Sequence, residues 1–357
     1  MAPVARALAA CGRRPSIVLT GQHPQLDSAE FGLSEYPSIR LDCPGRLDPH
    51  SHVRMVTEAL LPRLADGPDL LIVQGDTSSA LGAALAGFLA SVPVAHVEAG
   101  LRTHDPRRPW PEEEYRTAID AQADLLFAPT DIAAANLRAE QVRGEIHVTG
   151  NTSIDAVLAA EANLPPARPK DGRAPRLLVT CHRRESWGEG LESIARALME
   201  VARHGVGIDV VLHPNAHVAS KMRTQLDGTP GISLLEPMSH GELVRRIRDC
   251  ALVLSDSGGI QEEAPALGTP LLVLRDKTER PEAIVSGNAR LVGTSTERIV
   301  AETLNLLGNP ADLASMSRRA FPFGDGRAGQ RIAGIIDDWL RRRANLDQSL
   351  GRGTVYS

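Results

Sequence analysis

Two α/β halves in tandem, each built on a doubly wound parallel sheet, are predicted by three observations. Short apolar runs alternate with stretches of helical periodicity along the whole chain. The alternation breaks once, in a proline-rich stretch over residues 163–175. At 357 residues the chain also exceeds one ordinary domain.

Residues 2–11 read as a helix because Val4, Ala7, Leu8 and Cys11 share a face, and Gly12-Arg13-Arg14-Pro15 ends it. Apolar runs then mark strands at 16–20, 69–73, 94–97, 125–128 and 146–148, with helices at 77–90 and 112–121. After the linker come strands at 176–180, 208–212, 232–234, 252–255 and 270–274, with helices at 191–204, 241–248, 261–267 and 296–307. The expected units are 1–155 and 172–325, with a helix over 326–343 returning to the first unit and a frayed end over 344–357.

Composition narrows the function classes. Apolar residues are 42% and charged residues 23%, a globular balance, and a net charge of −5 offers no large basic surface for nucleic acid. Cys11, Cys43, Cys181 and Cys250 lack metal-ligand spacing, and each lies in or beside an apolar run, so they read as reduced core thiols. With neither a membrane-length apolar run nor a signal-peptide pattern, the chain reads as a cytoplasmic protein without a membrane partner.

In doubly wound folds ligands sit at the carboxyl ends of the strands, and those positions here carry unusual residues. The first-half strands run into Gln74-Gly75-Asp76-Thr77 and into Glu98-Ala99-Gly100-Leu101-Arg102-Thr103. Either Asp76 or Thr77 can cap the following helix, and Arg102 could simply pair with Glu98. Next comes Arg108-Pro109-Trp110-Pro111-Glu112-Glu113-Glu114, a stiff loop whose acids open a helix and suit its dipole. In the second half, strand ends carry Cys181-His182-Arg183-Arg184-Glu185-Ser186 and His213-Pro214-Asn215. Ser257-Gly258-Gly259 precedes a helix as a phosphate cradle, Glu263 is placed to accept ribose hydroxyls, and the stretch from Arg275 to Glu282 supplies cations for a diphosphate. There is no metal-ligand cluster and no intact dinucleotide fingerprint, so the set suits a sugar nucleotide handled by proton transfer without a cofactor.

Taken together, the motifs resemble the non-hydrolysing UDP-N-acetylglucosamine 2-epimerases over almost the whole chain. They are TGQH at 20–23, QGDT at 74–77, HVEAGLRT at 96–103, PWPEE at 109–113, TGN at 149–151, HRRE at 182–185, HPN at 213–215, DSGGIQEEAP at 256–265 and TERPEA at 278–283. The resemblance implies two Rossmann-like domains of the glycosyltransferase-B type, with the active site in the interdomain cleft. It implies interconversion of UDP-GlcNAc and UDP-ManNAc, without NAD, for bacterial surface polysaccharide. UDP is eliminated as the carbon-2 proton leaves, and it adds back after reprotonation on the other face.

By the same resemblance, Asp76, Glu98 and Glu112 match the catalytic carboxylates and His213 the catalytic histidine. Arg183, Ser257, Gly258, Gly259, Glu263 and Arg280 match substrate-binding positions, and Gln22, His23 and Gln25 match a turn that binds a second UDP-GlcNAc as activator in some members. A homodimer is implied as well. The PWPEE element favours the plain UDP-GlcNAc branch. Departures are His240 and Leu243, where the family carries aromatics near the uracil, and Ser186, where it carries asparagine. A strand and a GTRPEAIK loop precede the MAPV-like helix in the family, so the working protein is expected to begin upstream of Met1. Two other readings are a transferase of the same fold and a non-catalytic nucleotide-binding remnant.

Overall fold

Parallel pairing organises the computed structural model, which describes residues 1–22, 28–46, 48–65, 67–167, 175–181, 189–213 and 215–351. Two units divide the chain: Met1–Ala156 with Gly324–Ser357, and Val157–Phe323.

The first unit opens with α1 (Ala2–Ala10), β1 (Ile17–Leu19), β2 (Ser38–Arg40) and α2 (Pro49–Leu60). It continues as β3 (Leu71–Gln74), α3 (Ser78–Leu89), β4 (Val94–Val97), α4 (Glu112–Asp120), β5 (Leu125–Ala128), α5 (Asp131–Ala139), β6 (Glu145–Val148) and α6 (Thr152–Ala162), the last crossing into the second unit. Strands β3 to β6 pair in sequence order as a parallel sheet, and β1 pairs with β2 in a separate parallel pair. β4 and β5 are buried along their whole length, as expected of parallel strands covered on both faces.

Local chemistry starts these helices. Asp48 accepts from the His50 and Ser51 N–H groups ahead of Pro49 in α2, and Thr77 and Thr130 cap α3 and α5 from their hydroxyls. Each such cap stabilises its helix by about 1 kcal/mol. Val4 and Leu8 of α1 pack with Ala95, Val97, Leu125 and Phe127 of the sheet. The same cluster holds Ile332, Ala333 and Ile336 of the final helix, whose first turn Asp155 caps through the Ala328 and Gly329 N–H groups at 3.0 and 2.8 Å.

The second unit runs β7 (Arg176–Thr180), α7 (Glu189–Arg203), β8 (Gly207–Val211), α8 (Ala216–Leu226), β9 (Ile232–Leu235), α9 (His240–Asp249) and β10 (Leu252–Ser255). Then follow α10 (Gly258–Leu267), β11 (Leu271–Val273), α11 (Pro281–Val285), β12 (Ala289–Leu291), α12 (Thr296–Gly308) and α13 (Pro310–Met316). Its six parallel strands lie in the order β12-β11-β10-β7-β8-β9. That is the nucleotide-binding order 3-2-1-4-5-6, and chain direction across the sheet reverses between β7 and β10.

Two expectations change. The final helix, α14 (Ala328–Gly351), continues past residue 343, because nothing in 344–351 is a glycine or proline before Gly351. Cys11 is exposed while the other three thiols are buried, because it stands one residue beyond the end of α1.

Candidate functional site

In the first unit the polar residues gather around one turn. β3 ends at Gln74, and Gly75 takes a left-handed conformation (φ 70°) that a side chain would resist. Its N–H donates to Val97 O at 3.0 Å. Thr77 is the helix cap, so Asp76 does not cap α3; instead it accepts from Arg116 Nη2. Arg116 is almost wholly buried and also reaches Glu113 Oε2 at 3.1 Å.

Glu98 follows β4 directly, and it too is left-handed (φ 71°), which is uncommon for a residue with a side chain. That backbone sends its carboxylate over the Gly75 turn, with Oε2 3.5 Å from where a Cβ on Gly75 would stand. Arg102 does not serve Glu98. It pairs with Asp120 at 2.8 Å and with Glu140 through two bonds of 2.7 Å. Glu112 begins α4, after a loop whose half-exposed Trp110 ring sits edge-on to His50 at 5.9 Å. Glu113 is a tether rather than a bare dipole partner: it accepts from the Thr103 and His104 N–H groups, each at 2.9 Å. Gln22 joins this neighbourhood by accepting from Ser79 Oγ at 2.6 Å, three residues beyond Asp76.

Sequence reading overlooked two groups here, His96 and Asp120. His96 is the sole polar residue of the buried strand β4, and a histidine in such a run is itself the signal. Its Nδ1 lies 2.6 Å from Asp120 Oδ1, and its Nε2 lies 2.9 Å from Gly75 O.

In the second unit the carboxyl ends of β7 and β10 are joined by a 2.6 Å hydrogen bond between the Thr180 and Ser255 hydroxyls. Ser255 Oγ also accepts from Ser257 N at 3.0 Å, which shapes the turn. Ser257 then begins α10 without a side-chain capping bond, so the first turn of the helix presents backbone N–H groups suited to an anion.

Arg280 lies flat on Gly258, where a Cβ would come within 2.6 Å of Nη1 and 2.8 Å of Cζ. The guanidinium donates to Glu262 Oε1 at 2.6 Å and Glu279 Oε1 at 2.5 Å, and Arg275 pairs with Glu279 at 2.9 Å. Of the expected cations, Arg275 and Arg280 are therefore offset by two buried glutamates, because charges this deep require partners. Glu263 receives His240 Nε2 at 3.1 Å, and that hydrogen bond raises the His240 imidazole above its ordinary value. His213 accepts from Asn215 N–H at its Nδ1, 2.8 Å away, which leaves Nε2 as the protonated nitrogen of the neutral ring.

The structure thus gathers Asp76, Glu98 and Gln22 near one turn of the first unit, and Ser257, Gly258, Gly259, Glu263 and Arg280 around the start of α10. His23, Gln25 and Arg183 lie outside the described residues, as does Ser186. Among the described residues no group of three acidic, histidine or cysteine side chains could hold a metal ion. Nor is any described helix long and apolar enough to cross a membrane.

A pair of Rossmann-like units with polar, acid-bearing turns at their strand ends defines an α/β nucleotide-type enzyme of the glycosyltransferase-B class. The sequence profile of the UDP-N-acetylglucosamine 2-epimerases matches residues 7–337. The UDP-N-acetylglucosamine 2-epimerase of Escherichia coli K12 is 40% identical over 359 residues, covering 93% of each chain. The Neisseria meningitidis UDP-GlcNAc 2-epimerase, solved bound to UDP-GlcNAc, aligns with a TM-score of 0.89 at 33% identity, covering 95% of this chain and 96% of that one. The Methanocaldococcus jannaschii enzyme, solved with UDP-GlcNAc and UDP, aligns at 0.82 and 30% identity, covering 94% and 95%. The chain belongs to the UDP-N-acetylglucosamine 2-epimerase family, and its enzyme class is accordingly that of an isomerase.

Proposed function

We propose that this chain interconverts UDP-GlcNAc and UDP-ManNAc by eliminating and re-adding UDP. The observation that carries the reading is the convergence of Asp76 and Glu98 on the Gly75 turn, in a chain whose relative is solved with UDP-GlcNAc bound. A carboxylate takes the carbon-2 proton while the bond from carbon 1 to the phosphate oxygen breaks, leaving 2-acetamidoglucal and UDP. A carboxylic acid then returns a proton to the opposite face of carbon 2, and the phosphate oxygen rejoins carbon 1. Each positioned acid or base contributes about 10²–10⁴ in rate.

Asp76, Glu98 and Glu112 supply those carboxyl groups. Departure of UDP is assisted by the N–H groups at the start of α10 and by the Nε2–H of His213, while Glu263 and Arg280 belong to the nucleotide site. The family resemblance assigns Arg183 to substrate binding as well. The reading extends to a homodimer that works in the cytoplasm, makes ManNAc-type sugars for surface polysaccharide, and takes a second UDP-GlcNAc as activator beside Gln22.

Incubation with UDP-GlcNAc in deuterium oxide, followed by NMR, tests the reading. Deuterium at carbon 2 together with new UDP-ManNAc is expected. Binding without exchange would leave only a nucleotide-binding protein, and sugar transfer to an acceptor would make it a transferase.

A further inference from the structure

His96 stands at the centre of an interior chain of charges. Its Nε2 faces the Gly75 carbonyl, which can only accept, so Nε2 carries a proton. Its Nδ1 faces Asp120, whose other oxygen already accepts from Gly100 N–H at 3.1 Å and Arg102 Nη2 at 2.8 Å. A carboxylate bonded to those two donors is held ionised, so Nδ1 is a donor as well. Both ring nitrogens therefore carry protons, and the side chain is an imidazolium with zero exposure.

We infer that His96 is a positioning residue, an imidazolium that grips the Gly75 carbonyl and thereby fixes the turn that delivers Asp76 and lies beneath the Glu98 carboxylate. The inference rests on the reading of Asp76 and Glu98 as groups that act on the sugar. Gly75 is held at two points, its N–H by Val97 O and its carbonyl by His96, and the Glu98 carboxylate lies over its open Cα face. A left-handed turn has few bonds of its own to keep it in place, so the charge-assisted bond from His96 sets where the next residue points.

The surrounding charges support a fixed imidazolium. Burial alone pushes the ring down, but the Asp120 charge, the bonds to Asp120 and Gly75, and the Glu98 charge together lift it above its ordinary value. Burial likewise raises the Asp120 carboxyl, and His96 with Arg102 brings it below the usual range. Asp120 and Arg116 come from α4, Glu98 and Arg102 from the segment after β4, Asp76 from the turn after β3, and Glu140 stands behind Arg102.

The test combines ¹⁵N NMR of histidine-labelled protein with kinetics. In the wild-type chain both His96 nitrogens are expected to remain protonated as pH rises past the ordinary histidine midpoint of about 6.5. His96→Gln keeps a donor and loses the charge. It should shift the Gly75 and Asp76 amide resonances and lower kcat at least about tenfold, with KM for UDP-GlcNAc within about threefold. Adding Asp120→Asn to His96→Gln should cost less than Asp120→Asn does alone, because the two act as a unit. A His96 that titrates near pH 6.5, or a folded His96→Gln with wild-type kcat and unmoved amide resonances, overturns the inference. If the variant does not fold, the wild-type titration decides. A wild-type chain that never epimerises UDP-GlcNAc sinks the proposed function instead, and the titration and amide shifts still decide the state and grip of His96.

Discussion

Glu98 and Gly75 are both left-handed, with φ of 71° and 70°, and Glu98 Oε2 lies 3.5 Å from where a Gly75 Cβ would stand. Glycine holds that conformation freely, whereas Glu98 holds it at a cost that its surroundings must offset. Opposite outcomes are expected for exchanging the two kinds of residue. Gly75→Ala should destabilise the chain by about 1–2 kcal/mol, the penalty of a left-handed side chain. Glu98→Gly should be at least as stable as wild type, yet without epimerase activity. Urea melts with a deuterium-exchange assay check both, and an active Glu98→Gly would remove Glu98 from the chemistry.

Gly258→Ala should disturb the nucleotide site. Its methyl would stand 2.6 Å from Arg280 Nη1, and the guanidinium cannot swing aside without leaving Glu262 and Glu279. We expect UDP affinity measured by calorimetry to fall at least about tenfold, a change of about 1.4 kcal/mol. Unchanged affinity would show that Arg280 can move at no cost.

Glu112→Gln keeps size and hydrogen bonding but cannot exchange a proton in the same way. A loss in kcat of at least about a hundredfold, with UDP binding preserved, is the expected kinetic pattern for an acid or base. An equal loss of UDP affinity would place Glu112 in binding instead.

His240 contributes a pH dependence. Its bond to Glu263 raises the imidazole above its ordinary value, so its stabilisation is fully present below pH 6.5 and fades as pH rises through the folded value. The melting temperature of wild type should therefore exceed that of His240→Gln most at about pH 5.5, and the gap should narrow toward about pH 8.5. A gap that is flat or widens with pH would mean the pair is not charged in the folded protein.

Most strands and just over half of the helices were legible because their signals are local, while β12, α5, α6, α8, α11 and α13 were not. Alternating apolar runs, caps such as Thr77 and breakers such as Gly12 act over a few residues, and they placed β4, β5, β7 and β10 at their observed bounds. β2 was missed because its three residues carry a single apolar side chain, and α2 because its sequence, with two histidines and an arginine, lies beyond any strand that framed it. Of the proposed carboxylates only Glu98 stands directly after an apolar strand, where an acid is conspicuous, whereas Asp76 and Glu112 enter through the family resemblance.

The alternation of elements, the polar turns at their ends and the family these turns belong to are all local properties of the chain. Which charges meet is settled by folding alone. Arg102 passes over nearby Glu98 for Asp120 and Glu140, Asp76 finds Arg116 forty residues away, and His96 reaches from β4 to the Gly75 turn after the neighbouring β3. A buried charge must find its partner among groups brought close by folding, so separation along the chain does not by itself fix the pairing.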